Sequence, residues 1–247
     1  DGEARIWPGS GGTHNWQPMA YSQDTGLVYI PAREMAGYYN DGGRDPRTWE
    51  MKPGDVMGLN GFFDDIPKNA ASTSLLAWNP ITQKKVWSNP TPGATAGGVI
   101  ATHGGLVFQG RADGNFVATD ATSGKELWSY YMGVGTQAAP MTYTVNGKQY
   151  VTILAGWGGA TSLLGSLSAE HGWVGRQYPR RMLTFVLDGK AKLPESPAPV
   201  PGKVKAIDDP SFKVDPVTAE KGKLVFDGPN APERLAEMRA LLEAAAR

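Results

Sequence analysis

The chain has 247 residues, with 24 Lys+Arg balanced by 24 Asp+Glu, so no net charge points to a nucleic-acid or anionic-membrane partner. It contains no cysteine, which excludes disulfides, thiolate zinc sites and covalent c-type haem within these residues. With 32 Gly, 19 Pro and 8 Trp, it favours many short strands joined by turns over a helical bundle, and no apolar run is long enough to span a bilayer.

The chain opens Asp1-Gly2-Glu3, without Met or an opening strand, and reads as a processed product or fragment. The first strand candidate is Leu27–Pro31, after the turn Gln23–Gly26. Residues 32–70, rich in Gly, Asp, Asn and Pro, read as one long excursion, the kind of loop that carries function. Gly98–Thr102 and Leu106–Gln109 form a strand pair turned at His103-Gly104-Gly105. Met141–Val145 and Lys148–Leu154 flank Asn146-Gly147, the strongest short hairpin signal. Residues 156–181 are Gly-rich and polar, and Met182–Leu187 returns to strand. The expected organisation is β-propeller sequence over 1–195, an extended connector over 196–230 and a helix over 231–247. Asn230 caps that helix, Pro232 sits in its first turn, and Leu235, Met238, Leu241 and Leu242 share a face.

One pattern occurs twice, 41 residues apart: Ala77–Trp87 and Ala118–Trp128. A period near 40 is that of a propeller blade. Each copy predicts strand, tight turn, strand. Asn79 or Asp120 opens the turn on its own backbone, Gly124 supplies a positive φ, and the closing Trp packs between neighbouring sheets. At about 40 residues per blade the β-like sequence holds four to five blades. Because no strand opens the chain, a larger propeller cut part-way is expected rather than a closed four-bladed ring.

Three further stretches carry a resemblance: Gly11–Pro18 with its His14-Asn15-Trp16, Gly97–Gly110, and Leu154-Ala155-Gly156-Trp157-Gly158-Gly159. Together with the repeats they resemble, over about residues 10–195, the C-terminal part of pyrroloquinoline-quinone (PQQ)-dependent alcohol dehydrogenases. The resemblance implies an all-β, eight-bladed propeller and oxidation of an alcohol to an aldehyde or ketone. It also implies a periplasmic location and electron transfer to a cytochrome c. On the matching positions it implies PQQ binding by Asn15, Trp16, Trp157, Gly158 and Gly159. That agrees with chemistry: an amide donor and backbone N–H groups stabilise charge on quinone oxygens, and glycines let backbone approach a flat ring. The family's Asp base, its Ca²⁺ or lanthanide ion with its ligands, and an adjacent-cysteine disulfide belong to earlier blades. An upstream half of the protein is therefore expected as partner, and no catalytic or metal residue is placed on this chain. Ala219–Phe226 resembles the entry to the cytochrome domain of the haem-containing subgroup, but no Cys-x-x-Cys-His follows.

Plainer readings stand beside these. Trp87 and Trp128 are structural. His14, His103 and His171 are too scattered for a metal site, and Asp41, Asp45, Asp64 and Asp65 fit no Ca²⁺-loop spacing and read as turn residues. Trp49, Phe62 and Phe63 either wall a substrate funnel or pack the excursion onto the domain, and Arg176, Arg180 and Arg181 with Tyr178 form a small basic patch that either guides an acidic cytochrome or a substrate or, the favoured reading, has a structural salt-bridge role. The rival reading of the whole is a non-catalytic propeller binding module, like certain outer-membrane assembly lipoproteins. Such a module needs neither the Asn15-Trp16 pair nor the loop at 157–159.

Overall fold

The computed structural model describes residues 3–9, 11–40, 45, 47–48, 50, 71–158, 176–178, 180–194 and 200–201. The chain divides into one unit over Asp1–Val200 and a second over Pro201–Arg247. The predicted helix over 231–247 and all but two residues of the connector lie outside the described residues. So do His171, Asp41, Asp64, Asp65, Trp49, Phe62 and Phe63.

The described part of the first unit is built of antiparallel strands. β1 (Glu3–Ile6) pairs with β4 (Gly37–Asn40). A four-stranded sheet follows the order β2 (Ala20–Ser22), β3 (Leu27–Met35), β5 (Ala71–Asn79), β6 (Lys84–Thr91). A second takes β7 (Val99–Ala101), β8 (Leu106–Gly110), β9 (Asn115–Asp120) and β10 (Glu126–Tyr131) in sequence. The third contains β11 (Met141–Val145), β12 (Lys148–Ala155) and, after the two-residue β13 (Arg176–Gln177), β14 (Arg181–Val186). These meanders are propeller blades.

Two sequence expectations are corrected. The chain does have an opening strand, β1, and residues 32–40 are not excursion. β3 continues to Met35, and β4 returns to pair Glu3 with Asn40 and Ile6 with Gly37. That pairing links residues far apart in sequence, so local periodicity does not announce it. With β1 present, only the resemblance favours a larger propeller over a closed small ring.

The repeat folds as expected. Asn79 Oδ1 accepts from the backbone N–H groups of Ile81 (3.0 Å) and Thr82 (2.9 Å). Asp120 Oδ1 accepts from those of Thr122 (3.2 Å) and Ser123 (2.7 Å). Gly124 has φ 76°, and its counterpart Gln83 has φ 54°. Each copy also has a bulge at the residue before its Trp: the register skips Val86 in one and Leu127 in the other. A bulge re-aims the next side chain, and here it turns both tryptophans toward the following sheet. Trp87 Nε1 donates to Ala121 O at 3.2 Å, a carbonyl of the second sheet's turn. Trp128 meets Phe185 of the third sheet edge-on, with centroids 5.3 Å apart. At the hairpin tip Asn146 (φ 50°) and Gly147 (φ 75°) both take the left-handed region, the type I′ geometry that their pairing predicts.

The core lies between sheets. Leu27, Tyr29, Leu75, Ala77, Val99, Val107 and Ala121 fill the gap between the first and second. Ala112, Phe116, Met132, Val134, Ile153, Ala155, Trp157 and Leu183 fill that between the second and third. Each fully buried Phe or Leu contributes about 1.5–3 kcal/mol of transfer free energy. Tyr29 ties the first gap further: its hydroxyl donates to Ala121 O at 2.9 Å, and burial raises its pKa. The outer face of the third sheet is bare yet apolar, with Met141, Tyr143, Val145, Leu154 and Met182 (69% exposed). No helix among the described residues is long and apolar enough to cross a membrane.

Candidate functional site

The leading ends of the three sheets converge on Gly97-Gly98. Val99 N–H donates to Pro18 O at 3.0 Å, and Gly97 N–H donates to Gly110 O at 2.9 Å. A Cβ on Gly98 would stand 2.6 Å from Pro18 Cδ and 2.9 Å from Ala139 Cβ. One on Gly97 would stand 2.8 Å from Gly110 O and 2.9 Å from Ala138 O. Only glycine lets the loops before β2 and β11 close on the start of β7. Thr136 continues the track. It forms a parallel bridge with Gly156, and its hydroxyl donates to Leu154 O at 2.6 Å.

Buried amides line this track, one from each sheet region. Gln17 Nε2 donates to Thr95 Oγ1 at 3.1 Å, and Gln109 Nε2 donates to Gly97 O at 3.1 Å. Gln109 Oε1, Gln137 Nε2 and Trp157 Nε1 are buried with no hydrogen-bond partner among the described residues. Orphaned polar atoms are costly in a packed interior. The sequence gives little sign of these glutamines, since each stands alone in a strand or loop.

Asn15 and Trp16 sit on the loop before β2, and both are exposed, Trp16 to 54%. Asn15 Nδ2 donates to Gly11 O at 3.0 Å. His14, half-buried, sits with Nδ1 3.0 Å from Pro31 O. Trp157 and Gly158 follow β12, next to Gly156, which bridges to Thr136, while Asn15 and Trp16 precede Pro18, which bonds to Val99 beside Gly98. The Trp157 ring is 5% exposed and belongs to the core, while Gly158 is exposed, with nothing among the described residues within 4 Å of a Cβ position. Gly159 lies outside the described residues. The Tyr178 hydroxyl donates to Trp157 O, and the Arg180 stem passes 3.4 Å from a Cβ position on Gly156. Two members of the basic patch thus brace this loop, and burial raises the Tyr178 pKa. His103 is exposed, with Nδ1 2.8 Å from Asp24 Oδ2. Asp45 accepts from the Arg47 guanidinium and backbone, which hold its pKa below the ordinary carboxylate value. Among the described residues no three His, Cys, Asp or Glu side chains cluster as a metal site.

The family description "Glucose/ethanol/alcohol dehydrogenase, beta-propeller domain", of the PQQ type, matches residues 71–151. Over these residues the sheets are similar to the propeller of quinoprotein alcohol dehydrogenases. The chain is 42% identical over 223 residues to a quinohemoprotein alcohol dehydrogenase, ADH IIB, of Pseudomonas putida, covering 90% of this chain and 31% of that protein. It is 39% identical over 197 residues to a 1-butanol dehydrogenase (cytochrome c) of Thauera butanivorans, covering 76% of this chain and 27% of that protein. The solved structure of quinohemoprotein alcohol dehydrogenase ADHIIG from Pseudomonas putida HK5 matches with a TM-score of 0.71 and 39% identity, covering 91% of this chain and 33% of that one. The chain thus spans about a third of the length of the curated relatives it matches.

Proposed function

We propose that this chain is the C-terminal part of the propeller of a PQQ-dependent dehydrogenase that oxidises an alcohol to an aldehyde or ketone and passes electrons to a cytochrome c. The observation that carries the reading is Trp16: a large indole left uncovered on a loop tied to the sheet by hydrogen bonds. A flat ring system suits that surface, because stacking covers apolar area without displacing the loop. Asn15 commits one amide hydrogen to Gly11 O and keeps another for an acceptor outside the chain. Gly158 has no side chain to hold a ring edge away from its backbone. Trp157 contributes main chain, since its ring is packed in the core. When bound, PQQ supplies the redox chemistry by accepting the two electrons that the alcohol loses. This chain's residues orient the group and offer donors to its oxygens.

The bare apolar face of the third sheet supports a further part of the reading. In the whole protein, blades of the upstream half cover such faces. That half also carries the general base and the Ca²⁺ or lanthanide ion, and the enzyme works in the periplasm. The test uses the full polypeptide that contains this segment. Reconstituted with PQQ and Ca²⁺ or a lanthanide, it is expected to show quinone absorbance and alcohol-dependent reduction of cytochrome c. A folded protein that takes up no PQQ and reduces no cytochrome overturns the reading in favour of a non-catalytic binding module.

A further inference from the structure

Arg33 extends from β3 back under the loop that presents Asn15 and Trp16. Its Nε donates to Gly12 O at 3.2 Å, its Nη2 donates to Gly11 O, and its backbone N–H donates to Thr13 O at 2.8 Å. Gly11 O is also the acceptor for Asn15 Nδ2. One carbonyl therefore joins the guanidinium to the candidate cofactor ligand. Space is arranged for this, because a Cβ on Gly11 would collide with Arg33 Nη2. The guanidinium is half-buried and has no carboxylate partner among the described residues, and loss of water lowers its pKa. A fork binding two successive carbonyls at fixed angles is a task for Arg rather than Lys. A cation without a counter-charge beneath an exposed loop also favours an anion on that loop, and PQQ is a tricarboxylate.

We infer that Arg33 is a positioning residue, locking the 11–16 loop so that Asn15 and Trp16 meet the quinone in one fixed arrangement. This rests on the cofactor reading above. Arg33 acts through Gly11 and Asn15, with no contact of its own to the reacting atoms.

The test titrates the apo form of the full polypeptide with PQQ, followed by tryptophan fluorescence, alongside its melting temperature. Arg33→Met keeps the apolar stem and removes the fork. It is expected to weaken PQQ binding about ten- to hundredfold, the scale of loss when a reacting partner is misplaced by about 1 Å, while the apo melting temperature changes little. At saturating PQQ the loss falls on kcat more than on KM for the alcohol. Arg33→Lys, with charge but no fork, is expected to bind PQQ more weakly than wild type. It also serves as the test if Arg33→Met fails to fold. Wild-type PQQ affinity in Arg33→Met, or in Arg33→Lys if that is the variant that folds, overturns the inference. Asn15→Ala separates the two claims. If it alone weakens PQQ, the cofactor reading stands and the role of Arg33 falls; if neither Asn15→Ala nor the Arg33 variant weakens it, the cofactor site itself lies elsewhere.

Discussion

The turns of the two repeat copies share a backbone path but answer to different neighbours. At Asn79–Lys84 the left-handed position is Gln83, which is exposed; at Asp120–Lys125 it is Gly124, over which Trp87 packs. A Cβ on Gly124 would stand 2.8 Å from Trp87 Cδ2. Asn89 Nδ2 also donates to Gly124 O, and Trp87 Nε1 reaches Ala121 O three residues earlier. The second turn is therefore a docking surface for the first sheet as well as a chain reversal. A positive φ tolerates a side chain at some cost, but a positive φ beneath a neighbour's indole does not.

That contrast can be broken most sharply by copying one turn into the other. Gly124→Gln should cost about 4 kcal/mol in equilibrium unfolding, combining left-handed strain with overpacking against Trp87. A loss like that of an ordinary exposed turn substitution would mean that the docking reading is wrong. Trp87→Phe keeps most of the packing but drops the indole bond to Ala121, and a loss of about 1–2 kcal/mol is expected in the same assay.

A third difference is ionic. Asp120 has its pKa lowered by the Ser123 side chain and backbone, with a smaller contribution from the Thr122 N–H. Because the folded value is below the unfolded one, its contribution is complete above the ordinary carboxylate value and fades as pH falls toward the folded value. Asn79 does not titrate. Asp120→Asn should therefore flatten the acid limb of a melting-temperature profile, and Asn79→Asp should steepen it; unchanged limbs would remove the turns from the pH response. The smallest effect is expected for Gln83→Gly, a gain of less than about 1 kcal/mol in urea unfolding, since strain is relieved while unfolded-state entropy rises.

What could be read from the chain follows the range of the interactions. The turns at 79–84, 120–125 and 146–147 were legible because Asx side chains, glycine and Asn-Gly act within a few residues. The docking tryptophans were legible through the period, although the bulges at Val86 and Leu127 that aim them were not. β1 and β4 escaped because Glu3 meets Asn40 only after the whole first hairpin has formed. At the candidate site, Asn15, Trp16, Trp157 and Gly158 are proposed from the resemblance alone. The Arg33 fork, and the glutamines that surround Gly97-Gly98, depend on loops returning to a common edge, and no local pattern encodes that return.

Ala121 O accepts from both Tyr29 and Trp87, and so receives two donors from the neighbouring sheet at an atom that every residue possesses. No side-chain replacement at position 121 can delete that socket; it can only shift it. The aligned position in the earlier copy is Pro80, and proline, which lacks the amide hydrogen, still carries the carbonyl. The joint between blades is thus written into the course of the main chain on one side and into a few aromatic side chains on the other. The receiving side is free to drift in sequence, and the inserting side is not.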